Sequence, residues 1–153
     1  MADSSGTVIL GDQLAQINHY VLIPQLAEIF PEIAACRAFG TINLQLDGSL
    51  RKNCADLWTD QITWRPVLTP WLPRVEAFGF TRIKLAGPRG DRIDHAWIML
   101  PEAARSSFND RQVEVIAGEL VRGIDYGTRC TIHLEHSPAV TRPEWFGESY
   151  GLQ

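Results

Sequence analysis

The clearest periodic signal along the chain is the alternation in Thr41-Ile42-Asn43-Leu44-Gln45-Leu46. Ile42, Leu44 and Leu46 fall on one face and Thr41, Asn43 and Gln45 on the other, as in a strand with one buried side. Asp47-Gly48 then closes the strand as a turn. A shorter strand is expected over residues 6–10, stopped by Gly11-Asp12, and another over residues 129–135, where Cys130, Ile132 and Leu134 alternate with Thr131 and His133. Residues 75–85 and 92–100, joined by Gly87-Pro88-Arg89-Gly90-Asp91, make the strongest hairpin signal.

Two helices are expected. Val21, Leu22, Leu26, Ile29 and Phe30 recur at three- and four-residue steps, which predicts an amphipathic helix over residues 18–32 with Pro24 in its first turn. Asn109 or Asp110 can cap a second, containing Val113, Val115, Ile116, Leu120 and Val121. Between residues 50 and 73, Trp58, Trp64 and Trp71 interleave with Pro66, Pro70 and Pro73, a pattern for extended segments and loops. Many short strands with two short helices predict a mostly β chain and a small barrel. Residues 1–136 read as one domain and 137–153, with Pro138, Pro143, Gly147 and Gly151, as an irregular tail.

Composition adds bounds. The 153 residues are 45% hydrophobic and 21% charged with net charge −4, ordinary globular values. The acidic balance argues against nucleic acid as a partner, and no apolar run has membrane-spanning length. Met1 to Ser5 has neither a basic nor an apolar signal region, which predicts a cytoplasmic protein. Cys36, Cys54 and Cys130 are spaced for neither a disulfide framework nor a zinc site and read as reduced core thiols. His133 and His136 point to opposite sides of a strand. Hydrolase elbows, phosphate-loop and dinucleotide-binding motifs are absent.

Two features carry candidate chemistry. Thr41 and Asn43 project the same way and offer a hydroxyl and an amide oxygen side by side, a partial cage for Mg²⁺, which takes its other ligands from water and phosphate. Each also has a purely structural reading, as a strand former and a residue near a turn. Glu114, a carboxylate within Val113-Glu114-Val115-Ile116-Ala117, could accept a proton from a hydroxylated ligand or lie on the exposed side of the second helix.

The order of these pieces resembles the archaeal-type, CTP-dependent riboflavin kinase family, a six-stranded cradle-loop β-barrel. The resemblance runs from Gly6 to Glu135 and is carried by Gly40-Thr41-Ile42-Asn43-Leu44, Pro101, Glu114-Val115-Ile116-Ala117, Leu120, Arg122 and Gly127. It implies Mg²⁺-dependent phosphoryl transfer from a CTP-like donor to the 5′-hydroxyl of a riboflavin-like acceptor, giving FMN. By motif, Thr41 and Asn43 would hold the metal and Glu114 would be the catalytic carboxylate beside the flavin, with Ser106 as a further flavin contact. The nucleotide would lie along Gly11, Asp12, Gln13, Leu14, Ala15 and Gln16 and along Glu119, Leu120, Val121 and Arg122.

The family carries a Gly-Leu-Gly-Glu-Gly type loop after its first strand, where this chain has one glycine, Gly11, and an added carboxylate, Asp12. Gly118 replaces the family's usual proline. These departures support an alternative, a non-catalytic flavin- or nucleotide-binding regulatory barrel that has lost its nucleotide loop. A third reading, a protein-interaction domain, would be favoured by exposed tryptophans in residues 57–73.

Overall fold

The computed structural model describes residues 2–9, 14–38, 41–50, 54–101, 111–118 and 125–141. In chain order the elements are β1 (Ala2–Ile9), α1 (Leu14–Ile29), a 3-10 helix (Pro31–Ala38), β2 (Thr41–Leu46), β3 (Cys54–Ala55), β4 (Leu57–Trp58), β5 (Ile62–Trp64), β6 (Arg74–Glu76), β7 (Phe78–Ala86), β8 (Arg92–Pro101), β9 (Gln112–Ala117), β10 (Arg129–Leu134) and β11 (Val140–Thr141). The long strands pair in the order β10-β1-β2-β9-β8-β7, and a β10–β7 pairing closes the ring. Every pairing in it is antiparallel. The protein is therefore a mostly β chain with two helices and a closed six-stranded antiparallel barrel.

Closure removes the sheet edges and gives the wall two faces. Inward-pointing Val8, Leu44, Ile83, Leu85, Ile98, Val113, Val115 and Ile132 fill the interior. On the opposite face of the β7–β8–β9 wall, Phe80, Trp97, Met99 and Ile116 pack against Leu22, Ile23 and Leu26 of α1, Phe30 just after it and Ile33 of the 3-10 helix. Both faces of this part of the sheet are thus dry.

Three sequence expectations change here: the second helix, the place of Pro24 and the burial of Ile29. The second helix is not at residues 109–121: Gln112–Ala117 is strand β9, paired on both sides, and the second helix is the 3-10 turn after α1. Three β-branched residues and burial on both faces favour the strand, and a doubly buried strand lacks polar alternation. Asn109 and Asp110, the expected caps, lie outside the described residues. Pro24 sits mid-helix rather than in the first turn. The missing hydrogen bond and ring clash cost roughly 3 kcal/mol, which burial of Leu22, Ile23, Leu26 and Phe30 at roughly 1.5–3 kcal/mol each offsets. The buried stripe takes in Ile23, whereas Ile29, expected on it, is 49% exposed. Pro31 ends α1 and begins the 3-10 segment.

The alternating strand at residues 41–46 and the 87–91 turn between β7 and β8 stand where expected. The tryptophans of the 57–73 stretch divide: Trp64 is buried and donates to Glu76 Oε2 at 3.1 Å, Trp58 is half-buried, and Trp71 is exposed. Beyond Ser137, β11 pairs with β3, and Trp58 Nε1 donates to the Val140 carbonyl at 2.9 Å. Cys36, Cys54 and Cys130 are free and buried, and burial pushes the Cys36 thiol up to about 11. No helix among the described residues is long and apolar enough to cross a membrane.

Arg129 of β10 staples three strands at the rim: it donates to Thr7 Oγ1 of β1 at 3.0 Å and to Asp47, next to β2, at 2.8 Å. The guanidinium holds the Asp47 carboxyl below its ordinary range. A carboxyl lowered in the folded state stabilises above its unfolded pKa, and that contribution disappears as pH falls through the folded value. The stability difference between the wild type and Asp47→Asn, measured by urea unfolding, should therefore be present at pH 7 and shrink below pH ~4. An identical difference at both pH values would contradict the pairing. Leu26→Ala should cost about 2–5 kcal/mol in the same assay, since Leu26 is wholly buried between α1 and the barrel wall. A loss under 1 kcal/mol would mean that α1 does not seal this face.

Candidate functional site

The strand pairing that sets the partly buried Ile42 opposite Val115 on the inside sets Asn43 directly opposite Glu114 on the outside. Side chains directly opposite in an antiparallel pair have Cβ atoms roughly 4.5–5.5 Å apart, so the amide and the carboxylate are neighbours. Thr41 lies opposite Ile116, two residues along, and Met99 of β8 flanks Glu114 from the other side. All three polar residues are shielded: Thr41 is 8%, Asn43 4% and Glu114 5% exposed. Their cover comes from the helical layer, where α1 packs on β2 and the 3-10 helix on β9.

Beside them opens a cleft of about 290 Å³. Its walls are Thr41, Ile42 and Asn43 of β2, Val8 and Ile9 of β1, and Asp125 and Tyr126 from the turn before β10. Glu114 does not line it; Asn43 is the link, lining the cleft and standing opposite the carboxylate. Thr41 Oγ1 is fully shielded and has no hydrogen-bond partner among the described residues. Such a hydroxyl is costly to bury, and it belongs to a residue that lines the cleft.

The Asp125–Thr128 turn is tightly tied. Thr128 N donates to the Asp125 carbonyl at 3.0 Å, Asp125 N donates to Thr128 Oγ1 at 3.1 Å, and Gly127 N donates to the Val8 carbonyl at 2.8 Å. Gly127 has φ +86°, the left-handed conformation that a type II turn needs at its third position. Tyr126 is held out at 62% exposure. The sequence marks Tyr126-Gly127 only as a turn; an aromatic ahead of a turn glycine was the available signal for a residue held at the cleft.

Of the other expected site residues, Leu14, Ala15 and Gln16 form the first turn of α1 rather than a loop. Gly11, Asp12, Gln13, Ser106, Glu119, Leu120, Val121 and Arg122 lie outside the described residues. Gly118 is described and closely packed: a Cβ there would stand 2.2 Å from His95 Cδ2. The histidines make local contacts. His95 meets the Glu32 carbonyl at 3.1 Å, His136 meets Asp56 at 3.0 Å, and His133 pairs with Asp3. Among the described residues no three His, Cys, Asp or Glu side chains gather as a metal site; Thr41 and Asn43 are neutral oxygen donors of a different kind. No protein-family model matches the chain, and no curated protein matches it.

Replacing Thr41 by Val keeps the shape and removes the orphan hydroxyl. Thr41→Val should leave stability unchanged or raise it by up to about 1 kcal/mol in urea unfolding. A loss above 1 kcal/mol would show that the hydroxyl has a structural partner.

Proposed function

We propose that this protein is a divergent relative of the archaeal-type CTP-dependent riboflavin kinases, transferring a phosphoryl group from a CTP-like donor to the 5′-hydroxyl of a riboflavin-like acceptor. The observation that carries the reading is the juxtaposition of Thr41 and Asn43 on a cleft wall with Glu114 directly across from Asn43. The closed six-stranded barrel agrees with the fold that the sequence resemblance implies.

The residues fit a magnesium ion. A hard cation prefers oxygen and keeps waters; Thr41 offers a hydroxyl oxygen without a protein partner among the described residues, and Asn43 offers an amide oxygen. When bound, the ion would neutralise charge on the donor phosphates. The chain's own part is positioning. The tied turn and β2 fix the cleft walls, and Glu114, the carboxylate across from Asn43, is the proposed acceptor for the proton of the attacking hydroxyl. Phosphoryl transfer asks little more of a protein than alignment and charge neutralisation.

The test is incubation with riboflavin, MgCl₂ and each of CTP, ATP, GTP and UTP, with FMN followed by chromatography. FMN formation with at least one donor is expected, and Thr41→Ala combined with Asn43→Ala should lower the rate at least ~100-fold, as loss of a charge-stabilising element does. No FMN with any donor would overturn the kinase reading. Flavin binding without nucleotide binding, read by calorimetry, would then assign the protein to the alternative, a binding barrel without a nucleotide loop.

A further inference from the structure

Tyr126 is large, aromatic and 62% exposed, yet it is not on a loose loop. The turn that carries it is fixed at both ends: Thr128 closes it on Asp125, and Gly127 N is bonded to Val8 of β1. Holding an aromatic ring half in water on a rigid turn gains no core burial. Tyr126 lines the same cleft as Thr41 and Asn43, and the buried Thr41 hydroxyl has no partner among the described residues. The cleft lining thus combines an aromatic residue with the polar Thr41 and Asn43 and the aliphatic Val8, Ile9 and Ile42. Asp125 adds a carboxylate beside the ring, available to an N–H or O–H donor.

We infer that Tyr126 is a stacking platform for the planar heteroaromatic ring of the ligand whose polar end meets Thr41 and Asn43. Ring-on-ring stacking needs only a π-face of suitable size, held in place beforehand so that little entropy is lost on binding. About 290 Å³ holds one such ring with part of its polar chain but not two ring systems side by side. Two ligands share this chemistry under the proposed function, the flavin and the nucleobase, and the inference rests on that reading for the choice of probes. Which ring occupies the platform is decided by experiment.

Wild type, Tyr126→Phe and Tyr126→Ala are titrated separately with riboflavin, read by flavin fluorescence, and with CTP plus MgCl₂, read by calorimetry. Circular dichroism verifies that each variant is folded. Stacking on an aromatic side chain is worth roughly tenfold or more in affinity. Tyr126→Ala should therefore weaken one of the two ligands at least ~10-fold, while Tyr126→Phe, which keeps the π-face, stays within ~3-fold of the wild type. The weakened ligand is the one on the platform.

Equal affinities of wild type and Tyr126→Ala for both ligands would overturn the inference even if FMN is formed. A parallel loss in Tyr126→Phe would also overturn it, since the hydroxyl and not the ring would then be the contact. Ring binding that depends on Tyr126 without FMN formation would uphold the platform and refute the kinase. Binding of neither probe by the wild type would overturn both.

Discussion

The part of the β7–β8–β9 wall that lies beneath α1 and the 3-10 helix has to be apolar on both faces, because the barrel interior lies on one side and the helical layer on the other. This constraint decides much of the rest. It needs strands with few polar residues, so a carboxylate on such a strand stands out energetically. Glu114 is that residue on β9, flanked by Met99 and facing Asn43. Sealing the outer face is the work of α1 and the 3-10 helix, and the same sealing shields Thr41, Asn43 and Glu114.

The two-faced wall also explains what could be read from the sequence. β2 borders the cover rather than lying fully beneath it and keeps a polar outer face, so its alternation was legible to the residue. β9 is buried on both sides, and Val113-Glu114-Val115-Ile116-Ala117 has no period of two to find. A run of that composition is compatible with a buried strand or a short helix, and only its partners decide. Pro24 misleads for a related reason. Its cost is local and visible in the sequence, whereas the burial that offsets it comes from Phe80, Trp97 and Ile116, distant along the chain.

That Thr41 and Asn43 share a face was legible in the sequence, because the two-residue spacing of a strand needs no tertiary knowledge. The opposition of Asn43 and Glu114 was not, because it depends on strand register across 71 residues, the difference between positions 114 and 43. Asp125 and Tyr126 were missed for the same reason: the turn is local, but its approach to β2 runs through the Gly127–Val8 bond. Stability elsewhere follows ordinary rules. Arg129 clips β10 to β1 and to Asp47 at the rim, and Trp58 holds Val140 on the short β3–β11 pair.

The central claim is that the outer end of β2 is where a metal-bound phosphate ligand meets this protein. Manganese can replace magnesium and broadens the NMR signals of nearby nuclei, so ¹⁵N-labelled protein with CTP and substoichiometric MnCl₂ gives the most direct reading. The account predicts that the amides of Thr41, Ile42 and Asn43 and the Asn43 side-chain amide lose intensity first, followed by Glu114. Early loss at exposed carboxylates such as Asp91 and Asp94, with Thr41 to Asn43 unaffected, would contradict it.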